Sequence, residues 1–292
     1  SLSISFGLAC VAAIASASAV GWAFRNSTDE WWKIAGMLVG VYVVGTANMS
    51  AVGLALETRE ETFVVLNTAD LICGGAYLFF LLSVAQRLLL KVLPAFKAEA
   101  VGATADDTAS TGWRRANTVP MAKAFGLALV LAAVGVGVSL ATTGKMDPGV
   151  IMLVITTLSI AASLVPAVRA LTGSYDLGEY ALLIFCVAMG SMADVSKING
   201  TSFTLFAFVA IMLVAAAALH FALCALFRID ADTAIICSTA AIFGPPFIGA
   251  VAASLKNRTL VGPGLTLGLA GIALGTYLGL ATAWALKALA GV

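Results

Sequence analysis

Charge is scarce in this chain. Asp, Glu, Lys and Arg make up 11% of its 292 residues, against about a quarter in an ordinary soluble domain. Histidine occurs once, at His220. The five cysteines, Cys10, Cys73, Cys186, Cys224 and Cys237, stand singly in apolar runs without a CxxC pair, which reads as small core residues and not as metal ligands or disulfides. There is no P-loop, no zinc-ligand cluster, no Ser/His/Asp arrangement and no c-type haem motif. ATP-driven transport and hydrolysis therefore have no support, and neither an enzyme nor a bound cofactor is expected. With 16 basic and 15 acidic residues, the charge balance singles out no partner.

What the chain has in quantity is apolar length. Hydrophobic residues make up 61%, and the mean hydropathy is +1.03. A bilayer core about 30 Å thick takes roughly 20 apolar residues per crossing helix, and runs of that length recur throughout. An all-helical, multi-pass membrane protein follows, with membrane lipids as its surroundings and no nucleic-acid partner. Nine segments are predicted, at 2–24, 31–57, 61–93, 120–142, 149–170, 177–195, 203–227, 231–255 and 260–290. The one long polar stretch, 96–119, is rich in Ala, Thr, Ser, Asp and Gly and suits a mobile linker. It separates a first repeat, 1–95, from a second, 120–292. Arg87, Lys91, Lys97, Arg114, Arg115 and Lys123 place the linker on the cytoplasm-like side.

The last three segments read as a copy of the first three. Phe24-Arg25 matches Phe227-Arg228, Gly45 matches Gly244, Ala51-Val52 matches Ala250-Val251, and Leu56 matches Leu255, with four more residues in the first copy. Chance likeness between Ala-rich helices is the competing explanation. Duplicated halves with matching broken helices are the transporter pattern. On that plan three front helices are absent from the first half, and at roughly 30 residues per helix and turn the whole protein is expected at about 380–390 residues.

Both copies carry a break in mid-segment. Segment 31–57 divides at Gly45, and segment 231–257 divides at Gly244-Pro245-Pro246, where proline removes a donor and frees carbonyls that lipid cannot pair. Gly45, Thr46, Asn48 and Ser50, with Thr239, Gly244 and Pro245 across from them, are candidate ligands for an ion or small polar solute. A kinked helix whose Asn48 bonds a neighbouring helix is the plainer alternative. Each segment either crosses, which gives the halves one orientation, or turns back as a hairpin, which inverts them; loop charge barely chooses between these.

Asp70, in LNTADLICGGAY, is the best intramembrane carboxylate and a candidate for an ion or proton role, with a structural bond or an interfacial position as the alternative. Asp194 and Glu179 lie near helix ends, where solvation or the helix dipole accounts for them. His220 is either a proton relay or a hydrogen-bonded packing residue. Gly264, Gly268, Gly271, Gly275 and Gly279 recur at mostly four-residue spacing and predict a close helix-packing face. Trp22, Trp31, Trp32 and Trp284, at segment ends, fit an aromatic belt.

The stretches KIAGMLVGVYVVGTANMSAVGLAL, LNTADLICGGAYLFFLL, AALHFALCALFRIDADTAII and FGPPFIGAVAASLKNRTLVGPGLTLGLAGIALGTYLGL together resemble the YjcL-like family, a domain of unknown function (819) found in bacteria, plants and algae. Its members are distantly similar to the bile-acid and glutamate sodium symporters. That resemblance implies inverted repeats, broken helices meeting in mid-membrane, and secondary transport coupled to Na⁺ or H⁺. Gly45, Thr46, Asn48 and Asp70 keep the family pattern, whereas Val44 stands where a glycine is usual. Around the second break, Thr239, Phe243, Gly244, Pro245, Pro246 and Phe247 replace an amide and a hydroxyl with less polar groups.

Two functions follow from these observations. In the first, a secondary transporter binds solute and ion between the breaks, and Asn48→Ala or Asp70→Asn abolishes uptake with the fold intact. In the second, a transporter-derived, non-transporting accessory subunit packs in a larger membrane complex, with a homodimer mate or other subunits covering the face left by the absent helices. A bacterial inner membrane and a plastid or mitochondrial membrane suit the sequence equally.

Overall fold

The computed structural model describes residues 1–96, 118–171, 177–178 and 200–291. The bulk of the linker and of the segment predicted at 177–195, with Glu179, Cys186 and Asp194, lie outside them. The described residues are helical, with no strand among them. Among the described residues, five helices are long and apolar enough to cross a membrane, falling within 2–23, 60–83, 119–143, 203–226 and 258–290.

The first repeat consists of α1 (Leu2–Ala23), the half-length arms α2 (Trp31–Tyr42) and α3 (Thr46–Ala55), then α4 (Glu60–Ser83) with the short α5 (Ala85–Leu89). Then come α6 (Thr118–Thr143), α7 (Pro148–Ser163) and the turn α8 (Pro166–Arg169). Within the second repeat, the elements that match the first are α9 (Gly200–Leu226), the arms α10 (Ala231–Ile242) and α11 (Pro245–Ser254), and α12 (Val261–Ala290). At 1.5 Å per residue the 12-residue arms are about 18 Å long, enough to reach the membrane middle and no further.

The broken segments are hairpins. Glu30, at the start of α2, accepts from the Arg59 amide (3.1 Å), the Arg59 Nε (3.0 Å) and the Thr62 hydroxyl (2.7 Å), all just beyond the end of α3. Lys33 Nζ donates to the Glu57 carbonyl at 3.0 Å. Beginning and end of the segment are thus at one place, and Gly53 packs on Met37 and Phe63 beside them. At the second hairpin, Asp232 near the start of α10 accepts from Asn257 Nδ2 (3.0 Å), past the end of α11, and from Gln86 Nε2 (2.8 Å).

The hairpins open on opposite sides. Phe24 at the end of α1 stacks on Phe208 near the start of α9 (centroids 4.9 Å), while Ser5 near the start of α1 meets His220 towards the end of α9 at 3.3 Å. The two long helices are therefore antiparallel. Each is followed by its own hairpin, so the two repeats are inverted.

Matching backbone geometry supports duplication. Gly45 (φ 89°, ψ 166°) and Gly244 (φ 75°, ψ −169°) start the returning arms in the same conformation, one essentially restricted to glycine. Glu57 (φ 50°) and Lys256 (φ 57°) then end those arms in the left-handed region. The first copy's four extra residues split between two places: the loop before the hairpin runs 24–30 instead of 227–230, and its tip holds one more residue, 43–45 against 243–244.

Helix α12 is the common support. The five glycines of its stripe are all buried. Gly264 faces Ile236 and Ile248, and Gly268 faces Pro245, all of the second hairpin. Gly271 lies on Val44, Gly275 on Asn48 and the Val43 carbonyl, and Gly279 on Gly36 and Val52, all of the first. Small residues allow backbones this close without hydrophobic help from water. The aromatic belt needs correction: Trp31 and Trp32 are buried at 4% and 7% exposure and belong to the core, because the α2 arm is enclosed on nearly every side, leaving Trp22 and Trp284 facing outward.

Candidate functional site

The hairpin tips meet. The Val44 amide donates to the Ala241 carbonyl at 2.6 Å, a backbone bond between the two repeats. Helix α10 ends at Ile242 ahead of Gly244-Pro245-Pro246, which frees the Ala241 carbonyl from any helical partner further on. Val44 itself holds φ 82°, a genuine outlier for a β-branched residue. It does so at the position where the family pattern has glycine, with one methyl against Gly244 and the other on Gly271.

Asn48 is buried and organises the first tip. Its Nδ2 donates to the Val43 (3.2 Å) and Val44 (3.1 Å) carbonyls, and its Oδ1 accepts from the Thr276 hydroxyl (2.9 Å) on α12. Both amide hydrogens are thereby used, and one acceptor position remains. The Ser50 hydroxyl donates to the Thr46 carbonyl (2.8 Å), and Thr239, fully buried, donates to the Ile235 carbonyl (2.8 Å). Thr46 is half-buried at the start of α3. Of the first-tip candidates, Asn48 and Ser50 thus spend their donors on the protein's own carbonyls.

The second tip is lined with rings. Phe243 stacks on Tyr77 (6.1 Å) and contacts Phe247 (5.5 Å), and Tyr77 stacks on Phe80 (6.0 Å). Pro245 packs on Gly268, while Pro246 and Phe247 are exposed. The Tyr77 hydroxyl bonds that of Ser238 at 2.7 Å.

Asp70, on α4, faces the Tyr42 hydroxyl at the last residue of the α2 arm, joining it to the first tip and not to the second. His220 is buried at 2% exposure and bonded to Ser5, which also approaches Cys224 Sγ at 3.4 Å. The sequence reading did not single out Tyr42, Thr276 or Glu30. Tyr42 and Thr276 carried a signal in their positions, one beside the break and the other beside Gly275; Glu30 becomes legible only once the hairpin brings Thr62 to it. Cys10, Cys73, Cys224 and Cys237 are free thiols, and among the described residues no group of three or more His, Cys, Asp or Glu could hold a metal.

Two inverted repeats, each with a re-entrant hairpin reaching the membrane middle, define this molecule as a multi-pass integral membrane protein of duplicated architecture. The profile of the family described as "Protein of unknown function (DUF819)" matches residues 2–289, and the chain belongs to that family. It is 26% identical over 261 residues to the uncharacterized membrane protein YjcL of Bacillus subtilis (strain 168). That match takes in 85% of this chain and spans 66% of the relative's length. No solved structure matches it.

Proposed function

We propose that this chain forms the solute-binding core of a secondary transporter, moving a small polar solute with Na⁺ or H⁺ as the coupling ion and carrying out no covalent chemistry. The observation that carries this reading is the Val44–Ala241 bond. Two hairpins entering from opposite sides and touching at mid-membrane separate two aqueous approaches by one thin contact, the arrangement that alternating access needs. Thr46, the remaining acceptor of Asn48, and Asp70 are the groups proposed to face solute and ion, and neighbouring copies or other subunits to complete the surrounding wall. The test is reconstitution into vesicles under an imposed Na⁺ or pH gradient, with electrical or radiotracer readout over a panel of small organic anions, amino acids and amines. Gradient-dependent uptake that Asp70→Asn removes supports the reading, whereas a folded protein inactive across the panel and under both gradients counts against it.

The ring cluster at the second tip favours a second reading, an accessory subunit of a larger membrane assembly. Tyr77, Phe243 and Phe247 occupy the place where a symmetric site would set polar groups. Native mass spectrometry from the source membrane distinguishes the two, since an accessory subunit travels with unrelated chains at fixed stoichiometry.

A further inference from the structure

Beside the first tip lies a cavity of about 10 Å³, walled by small alanines of α1 and α9 and by Tyr42, His220 and Ser238. These polar residues are 1%, 2% and 1% exposed. Ser238 is held by Tyr77 and His220 by Ser5 through Nε2. The Tyr42 hydroxyl faces the Asp70 carboxyl and meets no partner at full hydrogen-bond geometry. Buried polar groups are normally paired, and a cavity of this size holds one water when two to four polar partners surround it. Three polar side chains from α2, α9 and α10 supply that number.

We propose that a resident water fills this cavity, bonds the Tyr42 hydroxyl, and joins Asp70 and Tyr42 to His220 and Ser5 in one proton-conducting chain. The chain would run from Asp70, ten residues into α4 and so about 15 Å deep, to Ser5, in the first turn of α1 on the side where the second hairpin opens. In the transfer step Asp70 gives its proton to the Tyr42 oxygen as Tyr42 passes its own to the water. The water releases one to the free nitrogen of His220, and Nε2 gives its proton to the Ser5 oxygen as Ser5 releases its own towards the opening of the second hairpin, where bulk water takes it up. Net, one proton moves along the chain and no heavy-atom bond changes. Ser5, Cys224 and Phe221 are the other groups against the imidazole, and none carries a fixed charge. The water site stands on geometry alone; its role in coupling rests on the transporter reading.

The first test is a thermal-unfolding cycle of the full chain in detergent, combining Tyr42→Phe with His220→Gln. A bridging water makes Tyr42→Phe lower the midpoint by a few degrees in the native background and by much less beside His220→Gln. A Tyr42→Phe protein that is equally or more stable in both backgrounds overturns the proposal, since removing an unpaired hydroxyl relieves a cost. Coupling to Asp70→Asn but not to His220→Gln also overturns it. Should His220→Gln not fold, an electron cryo-microscopy map at water-resolving quality decides by the presence or absence of density between Tyr42 and His220. The second test follows a pH dye inside phosphatidylcholine vesicles under a valinomycin-set potassium potential, where Tyr42→Phe is expected to slow proton entry at least tenfold. Native protein that moves solute with Na⁺ and no protons removes the proton role and leaves the transporter reading standing. Coupling in the unfolding cycle without any transport keeps the water and removes the transporter reading.

Discussion

Asn48 and Thr276 are 228 positions apart in sequence, and the hydroxyl of one donates to the amide oxygen of the other at 2.9 Å inside the protein. The first hairpin tip is therefore locked to the glycine face of α12 by a side chain that also closes its own backbone.

Replacing that amide has a structural effect before any functional one. Asn48→Ala leaves the Val43 and Val44 carbonyls and the Thr276 hydroxyl without their partner. With each orphaned buried group costing about 1–3 kcal/mol, unfolding in detergent is expected at a clearly lower temperature. Of the two sequence readings of Asn48, a solute ligand expects an intact fold for this variant, whereas an amide bonded to a neighbouring helix expects this loss. An unchanged midpoint would return Asn48 to the solute role.

The α12 glycines differ in what an added methyl would meet. At Gly275 it would overlap Asn48 and the Val43 carbonyl, and at Gly271 Val44 and Phe6, so Gly275→Ala and Gly271→Ala are each expected to cost about 1–3 kcal/mol or more. Gly262, in the same helix, has nothing within 4 Å of the added carbon, and Gly262→Ala is expected to be neutral or mildly stabilising. Chemical denaturation of the three variants side by side checks the contrast.

The turn geometry at the tips predicts a second asymmetry among glycines. Gly45→Ala meets open space but must hold φ 89°, so its expected cost of about 1–3 kcal/mol is purely conformational. Gly244→Ala carries the same strain and also presses on Val44. The expected order of stability is native, then Gly45→Ala, then Gly244→Ala.

Glu30 supplies a pH dependence. Burial alone would raise its carboxyl, but hydrogen bonds from Thr62 and Arg59, with Lys33 adding another, outweigh that and hold it below the usual carboxylate range. A depressed folded-state pKa stabilises the protein above the ordinary carboxylate value, and the contribution is lost as pH falls through the lower folded value. Thermal midpoints measured downward from neutral pH should fall through that acidic window, and Glu30→Gln should flatten the fall while lowering the neutral plateau.

Topology has its own direct check. In a cysteine-free background, single cysteines at Ser27 and Glu60, which flank the first hairpin, should be labelled by an impermeant maleimide from one side of the membrane, and those at Arg228 and Thr259 only from the other. Labelling of Ser27 and Glu60 from opposite sides would mean that the segment crosses.

Much of this architecture was legible in the residues. The glycine spacing on α12 announced a close packing face, and the paired positions Gly45 and Gly244 announced paired breaks, because a positive φ and a side-chain-free contact each demand glycine. The choice between crossing and hairpin was not legible. A 27-residue apolar run with a break in its middle fits either, and the deciding contacts, Glu30 with Arg59 and Asp232 with Asn257, join residues 29 and 25 positions apart. The site was only half legible for a related reason. Residue type marks Asn48, Ser50 and Thr239 as polar at depth, but whether a polar group turns to a solute or to a carbonyl of its own tip depends on fractions of an ångström.

The contact between the hairpins and α12 has a mechanical consequence. Interlocked side chains resist sliding, since each knob must leave its hole before the next position is reached. From Gly264 to Gly279 the supporting face is stripped of knobs, so a hairpin displaced along it loses little interdigitation. Along so smooth a face, the tips are held in register by a few hydrogen bonds: that of Thr276 to Asn48 and that of Val44 to Ala241.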